Sequence, residues 1–234
     1  MKLIRVAEVS IVVRDLDAAL RFYRDLLALP VLREGDGHVA LAAGQVPVVF
    51  REPASVAPGE PAGVISELAF EAEGLDGREE DTLDVQGATV RLVAPGRIAP
   101  VPPDRTSPHV KNIDHIVIAS GDSGSTAAAF ESTINLEIKR KMIRPGTNAQ
   151  LAFAKLGEVI LEFAGPPEPR PGPVTARYWG MVFNVRNLDG LVERVRGAGL
   201  PCTDPKPAVQ PGARIATVKD GTGGVPIALI EYGG

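Results

Sequence analysis

Cysteine, histidine and aromatic residues are all scarce in this chain of 234 residues. Its single cysteine, Cys202, excludes an internal disulfide and fits a reducing, cytoplasmic setting. No histidine lies near Cys202 and its nearest cation in sequence is Lys206, so it reads as a structural thiol. Aromatics make up 5% of the residues, too few for a platform that stacks bases. The net charge is −4 and no basic cluster is present, so nucleic acid is not an expected partner. No apolar run approaches a membrane span. The opening MKLIRVAEVSIVVRDLD is interrupted by Arg5 and Glu8 and lacks a cleavage-like site, which argues against a signal peptide. The glycines of DGTGGVP precede a strand rather than a helix, so they form no phosphate loop. With 3 histidines and no nucleophile elbow, a Ser–His–Asp arrangement has no support. A chain of this size can bury roughly 70% of its unfolded surface and needs no staples.

What is present is a repeat. Four segments carry an apolar strand, a cap-like turn residue and a helix-like stretch: VAEVSIVVRDLDAALRFYRDLL from Val6, ISELAFEAEGLDG from Ile65, IDHIVIASGDSGSTAAAFEST from Ile113 and WGMVFNVRNLDGLVERVRGAG from Trp179. Each copy has a turn residue at the same place: Asp15, Gly74, Asp122 and Asn187. Seven residues before these stand Glu8, Glu67, His115 and Gly180. Three of the four can ligate a metal.

The spacing predicts a βαβββ order in three copies. In module one, residues 1–53, a strand at Val6–Val13 precedes an Asp15 N-cap and a helix to about Ala28, then three short strands. Module three, 113–165, and module four, 177–233, repeat the plan; Leu188, Leu191, Val192 and Val195 share one helix face. Module two, 64–94, is degenerate: GLDGREEDTLDVQG is a poor helix, and only one later strand, Ala88–Val93, is legible. The stretch APGRIAPVPPDRTSPHVKN, with five prolines, reads as a linker between halves at 1–108 and 112–234.

This tandem array, with the phrase VVRDLDAALRFYRDLLALPVLRE, resembles the vicinal oxygen chelate superfamily of glyoxalases, extradiol dioxygenases, epimerases and bleomycin-resistance proteins. The resemblance implies an α+β fold in which pairs of βαβββ modules form two glyoxalase-like half-barrels, cupped sheets, with the second module truncated. It also implies metal ligands on the first and last strand of each module. Carried over, the first-strand positions are Glu8, Glu67, His115 and Gly180. The last-strand positions are Val49, Glu162 and Ala228, with none assignable in module two. Glu231 enters register only if LIEY is aligned with ILEF.

His115 and Glu162 are therefore the sharpest pair, as catalytic residues and as ligands for Mn, Fe, Ni or Zn. Glu67 joins them as a third ligand if module two faces module three. A metal-free cup, with His115 hydrogen-bonded to Glu162, is the equal alternative. Glu8 and Glu67 would face each other in the first cup, either tuned for acid–base work or salt-bridged by Arg5, Arg14, Arg21 or Arg51. Gln150, Tyr178, Trp179 and Asn184 are candidate pocket residues. The implied function is a lyase, isomerase or dioxygenase acting on a small oxygenated metabolite, as monomer or homodimer. The rival is a drug- or metabolite-sequestering protein without chemistry.

Overall fold

Period-2 alternation and β-branched residues make VAEVSIVV a strand, and Asp15 stops it by capping the next helix. The Asp15 carboxylate accepts the Ala18 N–H at 2.7 Å in the computed structural model, which describes residues 1–35, 37–53 and 62–233. The element order is β1 (Lys2–Val13), α1 (Leu16–Leu20), a π-helical segment (Arg21–Leu26), β2 (Val31–Gly35), β3 (His38–Ala43) and β4 (Val46–Arg51). Module two contributes β5 (Gly63–Glu73), β6 (Glu80–Val85) and β7 (Ala88–Val93). Module three contributes β8 (Val110–Ser120), α2 (Ser123–Ile134), β9 (Ile138–Ile143), β10 (Gln150–Leu156) and β11 (Val159–Gly165). Module four ends the chain with β12 (Ala176–Val185), α3 (Leu188–Gly197), β13 (Lys206–Pro207), β14 (Ala213–Val218) and β15 (Ile227–Tyr232).

The strands form two mixed sheets, ordered β2-β3-β4-β1-β5-β7-β6 and β13-β14-β15-β12-β8-β11-β10-β9. This is the α+β architecture of tandem modules that the repeat implied. Module two holds three strands and no helix. Its β6 falls where the sequence suggested a poor helix. EDTLDV has little strand propensity, but it lies at a sheet edge, where acidic side chains meet water and discourage further pairing. The helix of module one also departs from expectation: it is α-helical only to Leu20, then π-helical. No helix among the described residues is long and apolar enough to cross a membrane.

By packing, the chain resolves into two compact units. One comprises Met1–Val9, Ser66–Ala99 and His115–Trp179; the other comprises Ser10–Ile65, Pro100–Asp114 and Gly180–Gly234. In the first, Phe130 of α2 meets Phe163 of β11 edge-on at 5.2 Å. In the second, the π-helical turn buries Phe22 and Tyr23 side by side, and the Tyr23 ring packs 4.6 Å from Phe50 and 6.3 Å from Phe183. The Tyr23 hydroxyl donates to the Thr222 carbonyl at 3.0 Å, and burial pushes the phenol well above its ordinary pKa.

Candidate functional site

Strand register fixes which residues of each module are equivalent. In module three, β8 and β11 run parallel, with His115 beside Ile160 and Val117 beside Glu162. The residue two past the first-strand position thus pairs with the last-strand position. The same rule in module four pairs Val182 with Ala228, so Gly180 and Ala228 form that module's set. In module two it pairs Ala69 with Arg91. Arg91 therefore fills the last-strand position that the sequence had left unassigned.

His115 and Glu162 are brought together. His115 Nε2 lies 3.7 Å from Glu162 Oε2, with side chains only 9% and 5% exposed. Both side chains rise from the same sheet face on adjacent strands, because Glu162 stands two residues along from the partner of His115. A third residue, not foreseen, completes the group. Arg144, just past β9, donates from Nη2 to Glu162 Oε1 at 2.9 Å. Its side chain is 39% exposed, yet its Nε is buried and has no hydrogen-bond partner among the described residues. The residues sharing this face were readable in principle from strand alternation: Arg140 and Met142 precede Arg144 at two-residue steps.

The corresponding set in the N-terminal half is an ion-pair cluster. Arg91 Nη2 contacts Glu8 Oε1 at 2.8 Å and Arg91 Nε contacts Glu67 Oε1 at 2.7 Å; Glu80 follows at 3.9 Å. Burial acts to lower the Arg91 pKa, but hydrogen bonds and charge from Glu67 and Glu8 outweigh it and hold the guanidinium above its ordinary value. Both carboxylates are thus salt-bridged by Arg91, which was not among the arginines the sequence suggested. Arg5 instead makes two bonds to Glu71, at 3.0 and 2.7 Å. The signal for Arg91 was present in ATVRLV, a lone charge inside a short apolar strand.

Module four cannot supply a ligand at the matching place. A Cβ built on Gly180 falls onto the backbone carbonyl oxygen of Pro226, so a side chain there requires the backbone to move. Changing Gly180→His, which would restore a histidine to the ligand register, is expected to lower stability by about 1–3 kcal/mol. Chemical denaturation should show this, with no stabilisation by added divalent metal. A metal-dependent rise in the midpoint would show that the strand can accommodate the side chain.

The remaining candidates scatter. Gln150 pairs with Gly165 while Phe153 pairs with Glu162, so Gln150 stands on the opposite sheet face from Glu162; its amide donates to the Pro167 carbonyl at 3.1 Å. Tyr178 is buried and its hydroxyl donates to the Thr89 carbonyl at 3.0 Å. Burial, then the nearby charges of Glu67 and Asp84, push its pKa far up. Trp179 is 47% exposed on the alternate face of β12. Asn184 belongs to the other packing unit, where its buried Oδ1 has no partner among the described residues. In that unit, Val182, Ala213 and Ile230 form an apolar cluster joined by Ala228, Ile215 and Tyr232. Burial raises the Cys202 thiol pKa, in keeping with an inert structural residue.

The model of the Glyoxalase/Bleomycin resistance protein/Dioxygenase superfamily matches residues 5–111 and 112–229. The chain belongs to this superfamily. Solved structures share the fold. An extradiol ring-cleaving dioxygenase from B. fuscum is 14% identical with a TM-score of 0.70, over 98% of this chain and 72% of that one. The Mn(II)-bound glyoxalase from Novosphingobium aromaticivorans is 14% identical with a TM-score of 0.69, over 98% and 82%. A mutant 4-hydroxymandelate synthase from Streptomyces coelicolor is 16% identical with a TM-score of 0.67, over 100% and 94%. No curated protein matches the chain.

Against this superfamily background, the donor set tests whether a metal fits. Among the described residues no group of three or more His, Cys, Asp or Glu side chains could hold an ion. Glu67 is engaged by Arg91, and Glu162 is already engaged by the Arg144 guanidinium. Two donors, one of them neutralised by a fixed cation, do not fit the usual ligand count of a resident metal centre.

Proposed function

We propose that this superfamily member is a glyoxalase-like enzyme, with residues 1–108 and 112–234 as its two halves. It acts on a small oxygenated metabolite through His115, Glu162 and Arg144. The observation that carries the reading is the 3.7 Å approach of two buried groups, His115 and Glu162, at the first-strand and last-strand positions of one module. A carboxylate and an imidazole so placed can take a proton from a carbon beside a carbonyl and return it elsewhere, the chemistry of isomerases and lyases. The guanidinium of Arg144 supplies fixed positive charge where oxyanion character would develop. In this reading a cation built into the chain does what a bound metal does elsewhere, and no step passes through a metal. A second reading, sequestration without chemistry, draws support from the apolar cluster of Val182, Ala213 and Ile230.

The test is a panel of small aldehydes, ketones, 2-oxo acids and 2-hydroxy acids incubated with the protein in D2O and followed by NMR. Exchange or isomerisation beside a carbonyl, undiminished after chelation, supports the enzyme reading. Binding without exchange favours sequestration. A stoichiometric metal in gently purified protein, lost on His115→Ala, would overturn the metal-free route.

A further inference from the structure

The Arg144 guanidinium is only partly used. Its Nη2 donates to Glu162, but the adjacent Nε, on the same edge of the planar fork, is buried without a partner among the described residues. Leaving a buried charged donor unmade is costly, and such groups mark places where an acceptor belongs. Charge on the same face points the same way. Register puts Arg140 opposite Phe153, Phe153 opposite Glu162, and Lys155 opposite Ile160, which itself adjoins His115. Along β9 to β11 this face therefore carries Arg140, Arg144 and Lys155 against the single carboxylate Glu162. Arg140 and Lys155 are exposed and contribute field rather than contact.

We infer that the substrate carries a carboxylate, accepted by the Nε edge of Arg144, so that the natural ligand class is a small 2-oxo or 2-hydroxy acid. This rests on the site assignment made above and adds the substrate class to it. The fork geometry matters: a planar carboxylate can share the Nε and Nη2 edge, where a lone carbonyl oxygen uses one donor. Held there, the acid would offer Glu162 or His115 the C2 hydrogen of a 2-hydroxy acid or the C3 hydrogen of a 2-oxo acid. Arg144 is thus a specificity-determining residue.

The experiment is calorimetric titration of pyruvate and oxalate against methyl pyruvate, which keeps the carbonyl and lacks the charge. The wild-type protein should favour the acids by roughly tenfold to a hundredfold. Arg144→Gln should erase that preference, and Arg144→Lys, which keeps charge without the fork, should restore only part of it. Circular dichroism on both variants verifies folding; should Gln loosen the site, Lys alone decides. A preference for acids that survives in Arg144→Gln overturns the inference. So does equal binding of the ester by wild type, and if the C–H exchange above persists in that case, the enzyme reading stands without it. Failure of all three probes to bind also overturns the inference, whereas the enzyme reading falls only if no compound of the wider panel shows exchange.

Discussion

Arg91→Met should cost about 3–5 kcal/mol of stability, the penalty for stranding buried charge, and lower the thermal midpoint by roughly 6–20 °C. The reason is geometric. Arg91 is only 21% exposed and bridges Glu8, at 5%, to Glu67, at 21%. Met keeps the stem and removes the charge, so two carboxylates face each other with no cation between them. Their repulsion and desolvation then oppose folding. Two controls isolate that cause. Acidification should recover part of the loss, because protonation removes the repulsion. Adding Glu8→Gln and Glu67→Gln to Arg91→Met should recover most of it, because replacing all partners leaves no unpaired charge. Urea denaturation of the single, triple and wild-type proteins measures this. A loss below about 1 kcal/mol would reduce the cluster to the worth of a surface ion pair.

How much of this was legible beforehand follows from what each feature depends on. The modules were legible because alternation, caps and helical stripes are local: the Asp15, Asp122 and Asn187 side chains each accept a backbone N–H at the start of their helices. The pairing of His115 with Glu162 was legible only through the superfamily resemblance, which implies ligand positions on the first and last strand of each module. Strand β6 was not, since EDTLDV becomes a strand only by lying against β7. The π-helical turn was hidden for a similar reason: burying Phe22 and Tyr23 together departs from α spacing, and their packing decides it. Arg91 and Arg144 escaped because the resemblance implies only metal ligands at these places, and a guanidinium at a ligand position is visible only once strands are paired. Gln150 was misplaced by face, since only pairing with Gly165 fixes which way that strand points.

Glu162→Gln is the sharpest test of chemistry. Gln has nearly the same shape and retains an oxygen able to accept the Arg144 Nη2 hydrogen now bound at 2.9 Å. It loses the charge and the basicity. If Glu162 moves the proton, exchange beside the carbonyl of whichever panel compound reacts should fall about 10²- to 10⁴-fold with the fold intact. Glu162→Asp keeps the basicity but withdraws the carboxylate by one methylene from both Arg144 and His115. Misplacement on that scale should cost roughly 10²-fold. Kinetics separate the alternatives. Loss of kcat at unchanged KM marks a group acting in the transition state, whereas a rise in KM at constant kcat marks one that only holds the ligand. His115→Gln then assigns the second proton: if imidazole accepts or returns it, both substitutions together should be little worse than either alone, because residues acting as one unit are not additive. If His115 merely orients Glu162, His115→Gln alone should cost far less than Glu162→Gln and add nothing to it, whereas losses that multiply would mark two independent roles.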